Sequence, residues 1–412
     1  MKRFNGIALS VAFCSLASQA ALAQTKIDTL KVQNLNEVIV KGVRAAKEAP
    51  YAVANIRKPE LKQFSCSGQE LPFLLSRTPG ILAWSENGIG TGTTYMRIRG
   101  AAGSRINVTL DGVALNSPED QTVFWANMNS YSSLLGSIQV QRGVGSSTNG
   151  DGAFGGSISM ATAAPSLTPT AEVTGSFGSY NTYHTGASFS TGLLGKHLIF
   201  DGAYHETATD GYVDGTAGRS GSYYGGLTWL GDNFKVSYKN IGNFEKTGQA
   251  WNGVLGGDYN SNFTLLQDGI RTYKDMYKAG LDKFNVLTGD MVRNDKGDYT
   301  ITPYTLRDGS KWDKTTDNFY QNHNILSATW TPGSHWSHSL SLHYTYGYGY
   351  YKQYKDGRTL SEYLNIPADV AAGKEADLIR EKIMRNHLGG LNASAAYSVK
   401  DLDLTLGGSY SY

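Results

Sequence analysis

The stretch "SLSLHYTYGYGY" at Ser339–Tyr350 decides the fold. Bulky apolar and aromatic residues occupy every second position, and Ser, His, Thr and Gly occupy the positions between them. Because successive side chains of a β-strand point to opposite faces of a sheet, this period of two predicts a strand with one apolar face and one small, polar face. The same alternation returns in "DLDLTLGGSYSY" at Asp401–Tyr412, where the Leu and Tyr residues share one face.

Nine alternating segments follow one another in residues 166–412. They begin near Ala171, Tyr183, His197, Ser222, Asn233, Asn318, Trp336, Arg385 and Asp401. Short connections alternate with long ones, and the long ones are Ala208–Gly221, Glu245–Asp317 and Tyr351–Met384. Short turns on one side and long loops on the other are typical of antiparallel transmembrane β-barrels, whereas a soluble sandwich has no reason to sort its loops by length.

The start of the chain has the features of a secretory signal peptide. A positively charged start precedes the apolar run Ile7–Leu16, and Ala21–Ala23 provides a small-residue cleavage site before Gln24. Residues 1–23 are therefore predicted to be removed during Sec-type export. The remaining chain has a single cysteine, Cys66, which we interpret as a small packing residue. The formal net charge of +2 gives no reason to expect a nucleic-acid partner.

The sequence pattern of residues 46–165 predicts a compact α+β domain. The segment "GQELPFLLSRTPGI" (Gly68–Ile81) is typical of a short helix that ends at a Pro-Gly pair. The segments "TYMRIRG" (Thr94–Gly100) and "RINVTLDGVAL" (Arg105–Leu115) alternate as strands, the second with an Asp-Gly turn. Two further strands are predicted in "LLGSIQVQRG" (Leu134–Gly143) and "GDGAFGGSISMAT" (Gly150–Thr162).

One more strand-like segment, "LNEVIVKG" (Leu35–Gly42), stands alone in residues 24–45 without a hairpin partner. An unpaired strand invites pairing with another protein. It is followed by "RTPGI", "MRIRGAAGSRINVTLDGVALN" and "GSIQVQRGVGSSTNGDGAFGGSISM", in that order. Together these four segments resemble the TonB box and the plug domain of TonB-dependent outer-membrane receptors, and the resemblance covers nearly the whole exported chain.

The resemblance implies an outer-membrane location, lipid around the barrel, and the periplasmic energy-transducing protein TonB as a partner. The residues expected to pair with TonB are Glu37, Val38, Ile39, Val40 and Lys41. In this family, arginines of Arg-Gly motifs bind carboxylates of the barrel and hold the plug, a role that the resemblance implies for Arg99 and Arg142. Barrels that hold such a plug have about 22 strands, so nine predicted strands indicate an incomplete barrel.

The ligand that the resemblance implies is a ferric siderophore or a similar iron complex. The segments "QTVFWANM" (Gln121–Met128) and "KTGQAWNGV" (Lys246–Val254) are similar to the siderophore and ferric-citrate branch of the family. Such a ligand needs aromatic and hydrogen-bonding side chains at the plug apex and the loop tips. The side chains expected to contact it are Trp84, Gln121, Phe124, Trp125, Trp251 and Asn252. Haem, cobalamin or an oligosaccharide are alternative ligands, and a surface adhesin without transport is an alternative function.

No pattern in the sequence predicts an enzyme, a resident cofactor or a bound metal. The Gly-rich "GIGTGTT" (Gly88–Thr94) lacks the preceding apolar strand and the following helix of a nucleotide-binding loop. His335 and His338 lie in a short turn and at a strand start, where exposed polar residues are expected rather than metal ligands. No Ser/His/Asp set and no pair of carboxylates stands out. We therefore expect a receptor without enzymatic activity.

Overall fold

The computed structural model describes Arg44 and residues 52–144, 153–251, 265, 268–313, 315–363 and 367–412. The predicted signal peptide, the predicted TonB contact Glu37–Lys41 and the predicted ligand contact Asn252 lie outside the described residues. In the part of the chain that is described, no helix has both the length and the apolar character needed to cross a membrane.

The N-terminal domain combines a mixed sheet with short helices. Its elements are β1 (Ala52–Arg57), α1 (Lys58–Ser65), α2 (Leu71–Leu75), β2 (Ile81–Ser85), β3 (Thr94–Ile98), β4 (Ile106–Leu110), β5 (Val113–Ala114), α3 (Tyr131–Leu134), β6 (Leu135–Arg142) and β7 (Gly156–Thr162). The main sheet has the order β1-β6-β7-β4-β5, in which β4 and β7 are parallel and the other pairs are antiparallel. The strands β2 and β3 form a separate hairpin. The predicted α+β class is confirmed for this domain.

Local chemistry explains several of these elements. Pro59 and Pro72 lie in the first turns of α1 and α2, where a missing backbone donor breaks no helical hydrogen bond. The central strand β7 is buried along its whole length, as expected for a strand that is covered on both faces. Ile138 and Val140 of β6 and Ile158 of β7 are fully buried, so the apolar core of the domain lies around these two strands.

A second sheet follows the N-terminal domain. The strands in this part of the chain are β8 (Thr170–Phe177), β9 (Tyr183–Ser190), β10 (Leu198–Thr209), β11 (Gly218–Leu230), β12 (Phe234–Gly248), β13 (Gly289–Arg293), β14 (Tyr299–Pro303), β15 (Thr316–Trp330), β16 (Trp336–Thr359), β17 (Glu375–Val399) and β18 (Leu402–Ser411). All except β13 and β14 form one antiparallel sheet of nine strands with the order β18-β17-β16-β15-β12-β11-β10-β9-β8. The nine predicted strands are confirmed, and the sheet does not close into a barrel.

The two faces of the nine-stranded sheet have the reverse polarity of a water-soluble domain. On β16, Leu340 and Leu342 are 43% and 46% exposed, whereas Ser341 between them is buried. The N-terminal domain covers the polar face, where the Tyr131 hydroxyl donates to the Asn243 side chain of β12 (3.4 Å). We call this covered face the inner face and the apolar one the outer face. An apolar outer face and a polar inner face are the pattern of a transmembrane β-barrel.

The connections of the sheet differ on its two sides. Residues 191–197, 231–233, 331–335 and 400–401 form turns on one side, and residues 178–182, 210–217, 249–315 and 360–374 connect the strands on the other. All three predicted long loops, Ala208–Gly221, Glu245–Asp317 and Tyr351–Met384, are too long, because the flanking strands continue into them. The continuations of β16 and β17 lack the regular apolar alternation that predicts strands from the sequence.

The 249–315 connection contains a small folded unit of its own. It holds the β13–β14 hairpin and the helix α4 (Tyr273–Lys278), which begins with a capping box between Thr272 and Asp275. Leu265, Ile270, Met276 and Leu281 form a small apolar core within it. A further short helix, α5 (Ala368–Ala371), lies in the 360–374 connection.

Candidate functional site

The loop between β2 and β3, residues 86–93, forms the apex of the N-terminal domain and is organised by one asparagine. The Asn87 side-chain oxygen accepts hydrogen bonds from the backbone N–H groups of Ile89 (3.1 Å) and Gly90 (3.2 Å). Its amide nitrogen donates to the Thr91 hydroxyl (2.5 Å). Gly90 has φ 91°, a left-handed conformation that glycine adopts without strain. We call residues 86–93 the apex loop.

The apex loop contacts the side of the sheet where the longer connections lie. The backbone oxygen of Asn87 accepts hydrogen bonds from the N–H groups of Tyr212 (3.0 Å) and Val213 (3.4 Å) in the β10–β11 connection. The Thr93 hydroxyl donates to the side-chain oxygen of Gln249, the first residue after β12. The apex of the domain is therefore joined to two of the connections on that side.

A second layer of contacts ties these connections to each other. The Asn285 side-chain amide donates both to the backbone oxygen of Asp214 (2.8 Å) and to that of Gln249 (2.8 Å). The backbone N–H of Asp214 donates to the Lys283 oxygen (2.9 Å), and the Tyr212 hydroxyl donates to the Asp282 carboxylate. The apex loop thus lies under a hydrogen-bonded cover built from the β10–β11 and β12–β15 connections.

Of the predicted ligand contacts, Trp84 lies on β2 with an accessible ring. The ring is 39% exposed and stacks on Tyr95 of β3, with centroids 5.4 Å apart. The Arg97 guanidinium lies 6.0 Å from the centre of the Trp84 ring. An aromatic pair beside a cation offers a ligand a flat apolar surface and a positive charge together.

The predicted ligand contacts Gln121, Phe124 and Trp125 have different environments. Gln121 is exposed, and Phe124 is 56% exposed. Trp125 is only 5% exposed, and the short 3₁₀ helix Trp125–Met128 contacts α2 and β3 of the N-terminal domain as well as β12 and β15 of the sheet. Its ring thus packs between the N-terminal domain and the sheet, and contact with a ligand stays a prediction for all three residues.

The predicted ligand contact Trp251 lies beside the extended part of β16. Its ring meets the Tyr351 ring edge-on, with centroids 5.3 Å apart. Trp251 follows Gln249 by two residues, so it stands close to the cover over the apex loop. No described hydrogen bond or ring contact joins Trp251 to Trp84 or Phe124.

A cavity lies elsewhere, between the N-terminal domain and strands β8–β11. It has a volume of about 150 Å³, and its lining includes Lys62, Ser133, Glu172, Ser188, Asp201 and His205. The volume is below the roughly 300 Å³ at which ligand pockets begin. Within the described residues, no group of His, Cys, Asp and Glu side chains is arranged to hold a metal ion.

A comparison with protein families accounts for this arrangement. Residues 45–157 match the family model described as the TonB-dependent Receptor Plug Domain. The match covers the N-terminal domain and none of the nine-stranded sheet. The N-terminal domain is therefore a plug, and the nine-stranded sheet is the wall against which it sits. No curated protein sequence matches the chain.

Solved structures with the same fold include three receptors or transporters. They are the ferric yersiniabactin uptake receptor FyuA from Yersinia pestis (TM-score 0.58, 14% identity), the unliganded ferric citrate transporter FecA (0.58, 15%) and the copper transporter OprC (0.56, 11%). The alignments with FyuA, FecA and OprC cover 89%, 88% and 89% of this chain. They cover 49%, 47% and 47% of those three proteins. The chain thus spans about half the length of these proteins, and the low identities show the fold alone.

The two arginines predicted to hold the plug both lie against its Pro79-Gly80 turn. The Arg142 guanidinium donates to the Pro79 oxygen (2.7 Å). The backbone N–H of Arg99, which has φ 49°, donates to the Gly80 oxygen (2.7 Å). Among the described ion pairs, none joins either arginine to a carboxylate of the wall. Pairing with barrel carboxylates stays a prediction.

One ion pair between plug and wall has its carboxylate on the plug and its cation on the wall, the reverse of the predicted arginine pairs. The Lys239 ammonium of β12 lies 2.7 Å from the Asp111 carboxylate of the plug and donates to the Thr162 hydroxyl (2.5 Å). Burial alone would raise the pKa of Asp111, but Lys239 and hydrogen bonds from Thr162 hold it below its usual value. The Asp-Gly pattern alone predicts Asp111 only as a turn residue. A charged Lys239 on the inner-face positions of β12 was the signal that could have revealed the pair.

Arg44, which follows the predicted TonB box, is hydrogen-bonded to the plug sheet. Its guanidinium donates to the Ser137 hydroxyl (2.9 Å) and backbone oxygen (3.2 Å) on β6. It also donates to the Ser159 backbone oxygen (2.9 Å) and hydroxyl (3.3 Å) on β7. Sequence reasoning missed Arg44 because it belongs to no recognisable motif.

Two plug carboxyl groups lie near the apex, of which Glu70 is buried and Glu86 is partly buried. Burial raises the pKa of Glu70 to about 8, although hydrogen bonds from the Thr94 hydroxyl and the Gly92 backbone oppose the rise. Burial also raises the pKa of Glu86, against hydrogen bonds from the Tyr95 hydroxyl and the Ala250 backbone. Glu70 is therefore expected to be largely protonated at neutral pH, which avoids placing an unpaired charge inside the plug.

Proposed function

We propose that this chain forms the plug and part of the wall of an outer-membrane transporter that takes up a ferric siderophore or a similar iron complex with energy from TonB. One observation carries the proposal: a plug domain is seated on the polar inner face of a sheet whose outer face is apolar. A passive adhesin needs no plug, and a barrel enzyme would lose access to its own interior. We therefore propose no enzymatic activity.

The outer side of the proposed transporter is the side with the longer connections. A ligand that arrives from this side would first meet the cover over the apex loop. It would also meet the exposed rings of Trp84 and Phe124 on the plug. The named ligands of FyuA and FecA support an iron complex as the ligand class. The copper carried by OprC is a second candidate. The proposed ligand contacts are Trp84, Gln121, Phe124, Trp125, Trp251 and Asn252.

The proposed periplasmic contact is Glu37–Lys41, which would add a strand to TonB. Arg44, only three residues later, is bonded to the two strands at the centre of the plug sheet. Tension on the proposed TonB contact would therefore reach β6 and β7 through Arg44. This placement fits a segment that TonB pulls in order to rearrange the plug.

The proposal is tested with Ile39→Pro in cells that express the receptor. Proline removes a backbone donor and should prevent strand addition to TonB, whereas the control Ile39→Val keeps that donor. Uptake of radioactive ferric citrate and of a ferric tricatecholate should fall to the level of uncoupled cells in the proline variant alone. Binding of the same complexes at the cell surface should persist. Unchanged uptake in the proline variant would contradict the proposed function.

A further inference from the structure

The strands β16 and β17 continue well beyond the length that a membrane requires. A transmembrane β-strand needs about 9–11 residues, and β16 has 24 residues and β17 has 25. Since β16 starts at a short turn, its end at Tyr351–Thr359 and the paired start of β17 stand beyond the membrane on the side of the longer connections. This extension carries many charged side chains.

One face of the extension contains several cations and no carboxylate, together with amide, aromatic and aliphatic groups. The register pairs Tyr351 with Lys382 and Gln353 with Arg380, and Lys355 follows two residues later on the same face. We call Tyr351, Gln353, Lys355, Arg380 and Lys382 the cationic face. The Lys382 ammonium lies 5.5 Å from the centre of the Tyr351 ring, and the Arg380 guanidinium donates to Gln353 (2.7 Å). These contacts orient the cations without neutralising them.

The cationic face points to the same side as the plug. The Tyr351 ring contacts Trp251, which lies two residues from Gln249, and Gln249 is bonded to Thr93 of the apex loop. A ligand approaching the apex from outside would therefore pass the cationic face. Its position, and not only its charge, relates it to the entry of the proposed transporter.

The neighbouring carboxylates do not neutralise this face. On the opposite face, Lys352 lies 3.3 Å from Glu381. Within the described residues, no ion pair joins Lys355, Arg380 or Lys382 to a carboxylate. Burial and the neighbouring cations Arg380, Arg358 and Lys382 lower the pKa of Lys355. The Arg380 Nε atom is buried and has no described hydrogen-bond partner. Lys352 is thus paired on the opposite face, and Arg358 at the end of the extension pairs with Glu362 (4.0 Å), whereas the three cations of the cationic face have no described carboxylate partner.

We propose that the cationic face binds the ligand as an anion, so that the substrate class is an iron complex with net negative charge, held through carboxylate or catecholate oxygens. This inference rests on the proposed function. Unneutralised cations in an entry raise the local concentration of anions and speed their capture. A guanidinium also matches two oxygens of one ligand group at once. A free metal cation would be repelled from this entry.

The test compares two sets of substitutions on the two faces of the same strands. The first is Lys355→Gln with Arg380→Gln and Lys382→Gln; the control is Lys352→Gln with Glu381→Gln, which removes the paired charges of the opposite face. The probes are ferric citrate, a ferric tricatecholate, a neutral ferric trihydroxamate and copper(II). Uptake and surface binding are measured at low and high salt in cells that express the receptor.

We expect the triple variant to lose about tenfold or more in the binding of an anionic iron complex at low salt, and the control to stay within about twofold. The loss should shrink at high salt, and restoring charge with Arg380→Lys in place of Arg380→Gln should recover part of the binding. Undiminished capture by the triple variant, or a wild-type preference for the neutral complex or copper(II), overturns the inference. Wild-type cells that take up none of the iron complexes overturn the proposed function instead.

Discussion

The plug buries its apolar side chains, whereas the wall exposes apolar side chains on its outer face and buries polar ones on its inner face. In the plug, Ile138 and Ile158 are fully buried at the centre of the sheet. In the wall, Leu342 is 46% exposed, while its neighbours Ser341 and His343 are buried. Both arrangements place apolar groups away from water if the surroundings of the outer face are lipid and those of the plug are aqueous or polar.

The difference shows that a hydrophobic pattern records the solvent on each side of an element as well as its secondary structure. The plug has one apolar core, which Ile241 and Ile325 of the wall join. Elsewhere the plug and the wall meet through polar contacts. Substitutions at the contacts between plug and wall, which we call the junction, can therefore test how the two regions differ.

The largest expected effect at the junction comes from the Asp111–Lys239 pair. Asp111→Asn removes the carboxylate that pairs with Lys239, and the Lys239 side chain is only 16% exposed. Breaking a buried pair in this way costs about 3–5 kcal/mol. The free energy of local opening at β4 and β5 should fall by that order. Hydrogen–deuterium exchange of the peptide spanning Ile106–Ala114 measures it.

The control for that pair is another ion pair between plug and wall. Lys62 and Glu172 lie 2.6 Å apart but are 60% and 43% exposed, so Lys62→Met should change the opening free energy by less than about 1 kcal/mol. Adding Lys239→Met to Asp111→Asn should recover much of the lost stability, because no unpaired charge then remains. Equal effects of breaking the buried and the exposed pair would contradict a polar, water-poor junction.

A smaller effect is expected from Glu70 as a function of pH. Its pKa in the folded plug is about 8, against an ordinary value of 4.5. Between pH 6 and pH 7 the folded plug retains this proton and the unfolded chain has released it, so stability falls as pH rises. The fall is at most about 1.4 kcal/mol for one pH unit.

The measurement for Glu70 is the opening free energy of α2 by hydrogen exchange at pH 6 and pH 7, corrected for the intrinsic exchange rates. Glu70→Gln, which stays neutral at both values, should lose this part of the pH dependence. An identical pH response in the wild type and in Glu70→Gln would show that the carboxyl is ionised in the folded plug.

Much of the fold could be predicted from the sequence because the pattern and the physics agree. In lipid, every outward residue of a strand must be apolar, and so segments such as Ser339–Tyr350 show an uninterrupted period of two. Outside the lipid that constraint disappears. The continuation of β16 to Thr359 therefore carried no alternation that could be recognised, and the predicted loop was too long.

The candidate site was less predictable, because it depends on which segments the fold brings together. The exposed ring of Trp84 fits its predicted role, whereas the burial of Trp125 against β12 and β15 could not be read from one loop sequence. Asp111 and Lys239 are 128 residues apart in the chain. A local motif identifies neither their pairing nor the contacts of Arg44 with β6 and β7.

The central claim is that the outer face of the wall meets lipid and the inner face does not. Leu406 and Thr405 test it most directly, because they are consecutive exposed residues of β18 that point to opposite faces. A nitroxide label is attached at each position in turn, with the receptor in lipid vesicles, and its collision rates with oxygen and with a water-soluble nickel complex are measured. The account predicts frequent oxygen and rare nickel collisions at position 406, and a lower ratio of oxygen to nickel collisions at position 405. Frequent nickel collisions at position 406 would contradict it, because they would mean that the apolar face of this sheet is in water.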